Sequence, residues 1–255
     1  MNLRATAKAI VRRCLSAVGL QVSRRPQHDW TDVASFIPFS ETLAAAEKAG
    51  LSVGDYIDTV MNRTPGATQF TIDGMAALGV FSHRIATVLE IGPGSGRYLE
   101  KTIRACSPMR CEIYETAEPW ARYLVEKYGV IWQPTDGSKL SATPTASVDL
   151  AQAHKVFSSI DLLPTLCYWR EMLRVVRPGG FIVFDVMTEA CMAPDTIDRW
   201  IDSGLHTGSY PAAMPRQAVI GYFERHEAEC VGSFLAPMGP GMTETFVFRK
   251  NAGSD

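Results

Sequence analysis

The sequence predicts an α/β fold: a seven-stranded, mostly parallel sheet flanked by helices, preceded by an N-terminal helical cap. Three observations predict it. From residue 86 onward, short apolar runs alternate with amphipathic segments, the rhythm of parallel strands joined by crossover helices. A glycine-rich loop, Gly92-Pro93-Gly94-Ser95-Gly96, separates the first apolar run from the first amphipathic segment. Near the end, two apolar runs flank Pro237-Met238-Gly239-Pro240-Gly241, a link dense in turn residues that predicts an antiparallel hairpin.

At 255 residues and 46% hydrophobic, the chain is sized for one large core with a small addition. The expected organisation is a basic amphipathic tail (1–27), a helical cap (28–85) and a ligand-binding catalytic domain (86–250). In the tail, Leu3, Ala7, Ile10, Cys14 and Val18 recur at spacings of three and four, one face of a helix, and Pro26 closes it. Residues 1–25 hold six basic side chains and no acid, whereas the chain as a whole has a formal charge of −2. This tail reads as a solvated or docked helix, as a peripheral membrane or partner contact, or as a transit peptide. The weak overall charge argues against a nucleic-acid partner. Six cysteines without CxxC or paired spacing fit reduced thiols and a cytoplasmic location. No apolar stretch is long enough to span a bilayer.

The cap follows from its punctuation. Ser40 is the expected cap of a helix over Glu41–Ala49, and Gly50 its terminator. Ser52 opens a second helix through Met61; Thr64-Pro65-Gly66 turns the chain; Thr68 or Thr71 starts a third helix ending near Gly79. The strands are then expected at 86–91, 111–115, 130–133, 147–153, 181–186, 230–234 and 243–248. Helices are expected at 95–106, 118–128, 162–176 and 216–226. Pro119 and Gly129 punctuate the second of these helices. Residues 187–215 read as irregular, with one helical turn around 195–201.

The chemistry concentrates at the ends of the first strands. Alternating glycines let the loop turn sharply beneath a ligand, and the following helix aims free N–H groups at it. Glu90 ends the first strand, where a carboxylate meets a cationic amino group. Glu115, 19 residues after Gly96, ends the second and is placed to accept two ribose hydroxyls. Asp136-Gly137 follows the third strand, in reach of an adenine amino group. Arg177-Pro178-Gly179-Gly180 precedes the fifth strand, and the closing hairpin replaces the second βαβαβ half that a dinucleotide enzyme needs.

With these motifs in this order, residues 86 to 250 resemble the class I S-adenosylmethionine-dependent methyltransferases. The resemblance implies a seven-stranded, Rossmann-like methyltransferase fold with S-adenosylmethionine as cofactor. It implies that Glu90, Gly92, Pro93, Gly94 and Gly96 cradle the methionine part. Glu115 and Thr116 then serve the ribose and Asp136 and Gly137 the adenine, with Gln152 in the same set.

The acceptor is read from the residues after the fourth strand. Amino-methylating enzymes often carry Asn/Asp-Pro-Pro-Tyr there; this chain has Gln152-Ala153-His154-Lys155. His154 is the candidate catalytic base for a hydroxyl, titrating as an ordinary histidine; the alternative is a structural histidine bonded to backbone. Asp185 and Glu189 flank the end of the fifth strand and are candidate Mg²⁺ ligands, or else solvated loop acids. Asp149 is either buried or functional, and His206 is a candidate lining residue of an acceptor pocket. Thr64-Pro65-Gly66-Ala67-Thr68-Gln69, 152–157 and Met214-Pro215-Arg216-Gln217 resemble actinobacterial, including mycobacterial, sugar O-methyltransferases of methylmannose polysaccharide synthesis. The implied acceptor is a small molecule or oligosaccharide, a methylated mannoside among them. The rival readings are a lipid or quinone methyltransferase recruited by the tail, and a non-catalytic cofactor-binding regulatory module.

Overall fold

The computed structural model describes residues 37–204 and 210–252. The predicted tail, the start of the cap and His206 lie outside the described residues. Helix α1, Phe39–Ala49, begins one residue before Ser40, which sits inside the first turn. Pro38 takes the cap position, and its ring supplies the fixed φ that admits it to a helix start. Gly50 closes α1 at φ 66°, as its place in the sequence predicts. Helix α2, Val53–Tyr56, starts from Ser52, whose hydroxyl accepts the Asp55 N–H at 3.1 Å. It runs on into a π-helical turn, Ile57–Met61.

Helix α3, Ala67–Ala77, begins before either expected threonine. The reason is a cap supplied from elsewhere in the chain. Asp58, buried in the π turn, accepts both the Thr68 N–H and the Thr68 hydroxyl at 2.8 Å. Thr68 therefore sits inside the first turn of α3. This helix does not stand apart from the sheet, since Ile72 and Met75 bury against Val88, Leu150, Phe181, Val183 and Val247. A Cβ on Gly74 would lie 2.6 Å from the Phe234 ring, so α3 approaches the sheet as closely as it does because Gly74 has none.

The sheet comprises β1 (Thr87–Ile91), β2 (Arg110–Tyr114), β3 (Ile131–Trp132), β4 (Val148–Ala153), β5 (Val176–Val186), β6 (Ala228–Met238) and β7 (Gly241–Lys250). Their order is β3-β2-β1-β4-β5-β7-β6; the first five are parallel, and β7 runs antiparallel to both β5 and β6. Helices α4 (Arg97–Cys106), α5 (Glu118–Tyr128), α6 (Leu162–Val175), α7 (Pro194–Ser203) and α8 (Arg216–Glu224) complete the fold. The hairpin strands outrun their predicted apolar cores, because antiparallel pairing carries on through polar residues such as Glu229 and Arg249. Within 187–215 the expected single turn is a ten-residue helix, α7, opened by Pro194 and anchored by buried Trp200. Among the described residues no helix is long and apolar enough to cross a membrane.

Strand alternation sorts the side chains onto two faces. Leu89, Ala151, Ile182, Phe184, Phe246 and Phe248 point to the face covered by α6 and α8. Val88, Leu150, Val183 and Val247 point to the face covered by α3. An aromatic cluster dominates the first face: Phe184 lies 5.0 Å from Trp169, 5.2 Å from Phe223 and 5.8 Å from Phe248, centroid to centroid. Asp149, at the irregular start of β4, accepts the Ala86 and Thr87 N–H groups at 2.6 and 2.8 Å and pairs with Arg177. Its role is to dock the start of β1 against β4. Removing the ring at the middle of the cluster, Phe184→Ala, is expected to cost about 3–5 kcal/mol in urea unfolding.

Candidate functional site

The glycine loop leaves β1 with its backbone still in register: the Gly92 N–H bonds the Tyr114 carbonyl at 2.8 Å. Two glycines in the loop have different duties. Gly96 sits at φ 77°, and a Cβ there would strike Leu124 of α5 at 2.2 Å. Gly94 sits at φ 51°, and a Cβ there would meet nothing within 4 Å. Gly96 is small for packing, whereas Gly94 faces open space, where a ligand can lie against bare backbone.

Glu115 holds the loop in place. One carboxylate oxygen accepts the Gly94 N–H and the other the Ala117 N–H, each at 2.7 Å. Burial raises its pKa, and the backbone bonds oppose the rise. Thr116 beside it is exposed, as are Asp136 and Gly137. The Asp136 carboxylate accepts the N–H groups of Ser138 and Lys139 and the Ser138 hydroxyl, all at 2.9 Å, which holds its pKa below the usual range. Two aromatic residues that sequence reasoning did not assign complete this corner. The Trp132 indole N–H donates to the Glu115 carbonyl at 3.0 Å with its ring 37% exposed. The Tyr168 hydroxyl meets Thr135; burial pushes its pKa up to about 12, and the charges of Asp136 and Glu115 add to the rise. A tryptophan at the end of a short strand is the available signal for the first; nothing in the sequence marks Tyr168.

Glu90 and Gln152 sit elsewhere than expected. They are register partners on β1 and β4, and both point inward beneath α4. Glu90 is 1% exposed and Gln152 fully buried. The Gln152 amide donates to Glu90 at 2.7 Å and also bonds the Thr102 hydroxyl. Burial pushes the Glu90 pKa up to about 8; the Gln152 bond opposes this, and the Glu115 charge adds to it. In place of a free carboxylate at a strand end, the structure has a buried acid bonded to Gln152, which in turn ties the sheet to α4.

His154 follows β4 on the same face. It is 5% exposed, and its ring stacks on Tyr98 with centroids 4.4 Å apart. Among the described residues neither ring nitrogen has a hydrogen-bond partner, so no backbone group of these residues holds the ring. Burial lowers its pKa to about 4, with Asp185 opposing and Lys155 and Arg97 assisting. The histidine is therefore neutral across the physiological range, not titrating near neutrality.

The candidate metal ligands are not brought together. Asp185 accepts the Lys155 N–H at 2.6 Å, and the Lys155 ammonium lies 3.1 Å from its other oxygen. Burial raises the Asp185 pKa, but Lys155 and the other partners leave it below the ordinary carboxylate range. An ammonium thus already sits where a cation was expected. Glu189 instead accepts the Arg216 N–H at 2.9 Å and caps α8. Among the described residues no group of three or more His, Cys, Asp or Glu side chains is placed to hold a metal ion.

Residues 89–184, from β1 through β5, match the family described as "Methyltransferase domain". That segment includes the glycine loop, Glu115, Asp136 and His154. No curated protein sequence matches the chain. Among solved structures, it is similar to an O-methyltransferase family protein from Burkholderia thailandensis, at 16% identity and a TM-score of 0.55. The match covers 76% of this chain and 59% of that one, so the chain spans well under two thirds of that protein's length. It is also similar to the N-methyltransferase NodS from Bradyrhizobium japonicum, solved with S-adenosyl-L-homocysteine, at 18% identity and TM-score 0.53, covering 71% and 86%. A third is the [4+2]-cyclase SpnF, at 15% identity and TM-score 0.54, covering 73% and 81%. The three share the Rossmann-like, seven-stranded architecture and differ in chemistry, so the fold leaves the acceptor open.

Glu90 and His154 predict a pH signature for the folded chain. The raised pKa of Glu90 means that between its ordinary 4.5 and about 8 the folded chain keeps a proton that the unfolded chain has released. Its stabilising contribution is therefore full below that window and is lost as pH rises through it. His154 has the opposite sign: with its pKa lowered from 6.5 to about 4, stability is lost as pH falls through that interval. The slopes oppose each other in the acid range, and Glu90 acts alone from pH 6.5 to 8. Urea midpoints of the parent should fall across that upper interval, and those of Glu90→Gln, which keeps the shape without the titration, should stay level.

Proposed function

We propose that the chain transfers the methyl group of S-adenosylmethionine to a saccharide hydroxyl, with a mannoside as the first acceptor to test. The observation that carries an oxygen acceptor is His154: a neutral imidazole at the carboxyl end of β4, both of its nitrogens free of protein partners. A neutral imidazole takes a hydroxyl proton without first losing its own. The saccharide assignment rests on the resemblance of the 64–69, 152–157 and 214–217 segments to sugar O-methyltransferases.

The loop geometry fits the cofactor. The open space over Gly94 admits an adenosyl-methionine chain against the backbone, with Gly92, Pro93 and Gly96 shaping the turn. Glu115 spends one lone pair of each oxygen on the protein and retains others for ribose hydroxyls. Thr116, Asp136, Gly137 and Trp132 line the exposed side where an adenine would lie. Glu90 and Gln152 support this site from beneath. When bound, S-adenosylmethionine supplies a methyl group on a sulfonium that departs as a neutral thioether. The remaining work belongs to the chain: it holds the acceptor oxygen in line and receives its proton at His154. Asp185, inside the field of the same ring, favours the imidazolium that results.

Labelled cofactor offered to mannosides, manno-oligosaccharides, phenols and lipids tests the reading. Label confined to lipid or phenol would overturn the saccharide assignment, and label in none of them, with cofactor bound, would favour a regulatory module. Glu115→Ala should weaken cofactor binding by about 1–3 kcal/mol in calorimetry, through both the ribose contacts and the released Gly94 N–H. His154→Ala should slow turnover by roughly 10²–10⁴-fold while leaving cofactor affinity within about twofold. The parental rate should be level in pH between 6.5 and neutrality and decline only on approach to pH 4, the value to which burial lowers His154.

A further inference from the structure

A histidine that works as a base is ordinarily oriented by a hydrogen bond at one ring nitrogen, leaving the other for the substrate. Among the described residues His154 has no such bond at either nitrogen, although both are buried. What holds the ring is its flat face. Tyr98 lies against it with centroids 4.4 Å apart and an interplanar angle of 20°. Tyr98 is itself immobilised: it is 4% exposed, in the first turn of α4, directly after the glycine loop. The Arg97 guanidinium lies 4.8 Å from the Tyr98 ring centroid and is anchored at 2.7 Å to Asp58 of the π turn. That same Asp58 holds Thr68, so the turn and the start of α3 are tied to the segment that carries Tyr98.

The other end of the histidine is held through its neighbour. Lys155 adopts φ 60°, and both its N–H and its ammonium are engaged by Asp185. The ammonium also donates to the Thr243 hydroxyl. These contacts fix where the 154–155 backbone leaves β4, but they do not set the rotation of the imidazole. Among the described residues the stack on Tyr98 is the contact that does.

We propose that Tyr98 is the positioning residue of His154, holding the imidazole by its face so that both ring nitrogens stay free for the acceptor. The proposal rests on the base role given to His154 above. It explains why a buried histidine carries two unsatisfied nitrogens: the orienting contact has been moved from the ring edge to the ring face. It also makes the rotation of the base depend on the loop that shapes the cofactor site, since Tyr98 follows Gly96 by two residues.

The test uses the full chain labelled with ¹⁵N-histidine, with the His154 ring signals assigned by their loss in His154→Gln. Tyr98→Phe keeps the stacking face, and Tyr98→Met fills comparable volume without it. In the parent and in Tyr98→Phe, one set of neutral-imidazole signals should persist on acidification towards pH 4. Arg97, Lys155 and Asp185, the charged groups that face the ring, are unchanged in every variant. In Tyr98→Met the ring signals should shift or broaden and titrate at higher pH. Turnover on a manno-oligosaccharide should fall about tenfold, the scale of a lost aromatic stack. Cofactor affinity should stay within about twofold, and Tyr98→Phe should restore the rate. If Tyr98→Met does not melt cooperatively, Tyr98→Leu takes its place. Parental ring signals and parental turnover in the aliphatic variant would overturn the proposal. Altered ring signals together with undiminished turnover in His154→Ala would overturn the base role alone and leave the positioning contact standing.

Discussion

A carboxylate leaves water only where donors replace the water, and the loops of this chain are suspended from acids that meet that condition. Glu115 takes the Gly94 and Ala117 N–H groups and so joins the glycine loop to the turn after β2. Asp149 takes the N–H groups of Ala86 and Thr87 and seats the start of β1. Asp58 takes Thr68 and Arg97 and binds the π turn to both α3 and α4. Asp185 takes Lys155, and Glu244 takes Arg216, Ser233 and Thr188 behind it. Each acid joins segments far apart in sequence. Removing its partner leaves a buried charge unpaired, which makes these contacts more consequential than the exposed ion pairs along α5 and α7.

One face of the sheet concentrates this polarity. Glu90 on β1 pairs in register with Gln152 on β4, and Asp185 on β5 pairs with Thr245 on β7. Strand alternation sends these side chains to the α3 and α4 side, and His154 continues the row past the end of β4. The opposite face is aromatic and dry, with Trp169, Phe184, Phe223 and Phe248 interlocked beneath α6 and α8. The division has a physical logic. A rigid apolar layer carries the stability of the domain, and the polar layer is left to arrange loops and titrating groups around a ligand.

Glu90 and His154 illustrate how burial converts charge into shape. Neither is ionised at neutral pH, the acid because it is protonated and the base because it is not. Glu90 then bonds Gln152, which ties the sheet to the helix, and His154 packs as a neutral ring against Tyr98. Burial works against the charge of Asp185 beside them, and the Lys155 ammonium leads the partners that hold its pKa below the ordinary range. Three titratable groups on one sheet face therefore sit in three different electrostatic situations, each decided by its nearest neighbours.

The architecture is legible in the sequence because it is periodic. Alternating apolar runs, the glycine loop and the turn-rich link each act within a few residues, so the succession of strands and helices, the loop position and the closing hairpin follow from local pattern alone. Gly50, Ser52, Glu115 and His154 are legible for the same reason, since each stands at the end of an element that the pattern delimits. What the pattern does not supply is direction and partnership. Glu90 ends a strand as a ligand-binding acid would, yet its alternation parity and the amide of Gln152, 62 residues away, turn it under the sheet. Asp185 and Glu189 are close in sequence, but Lys155 claims one and the start of α8 the other. The start of α3 escapes local pattern because its cap comes from Asp58 in another helix, and Tyr98 escapes it because its stack on His154 spans 56 positions of sequence. Local propensity reaches about one turn along a chain, whereas desolvation, charge pairing and ring stacking are settled by whatever the fold places within a few ångströms.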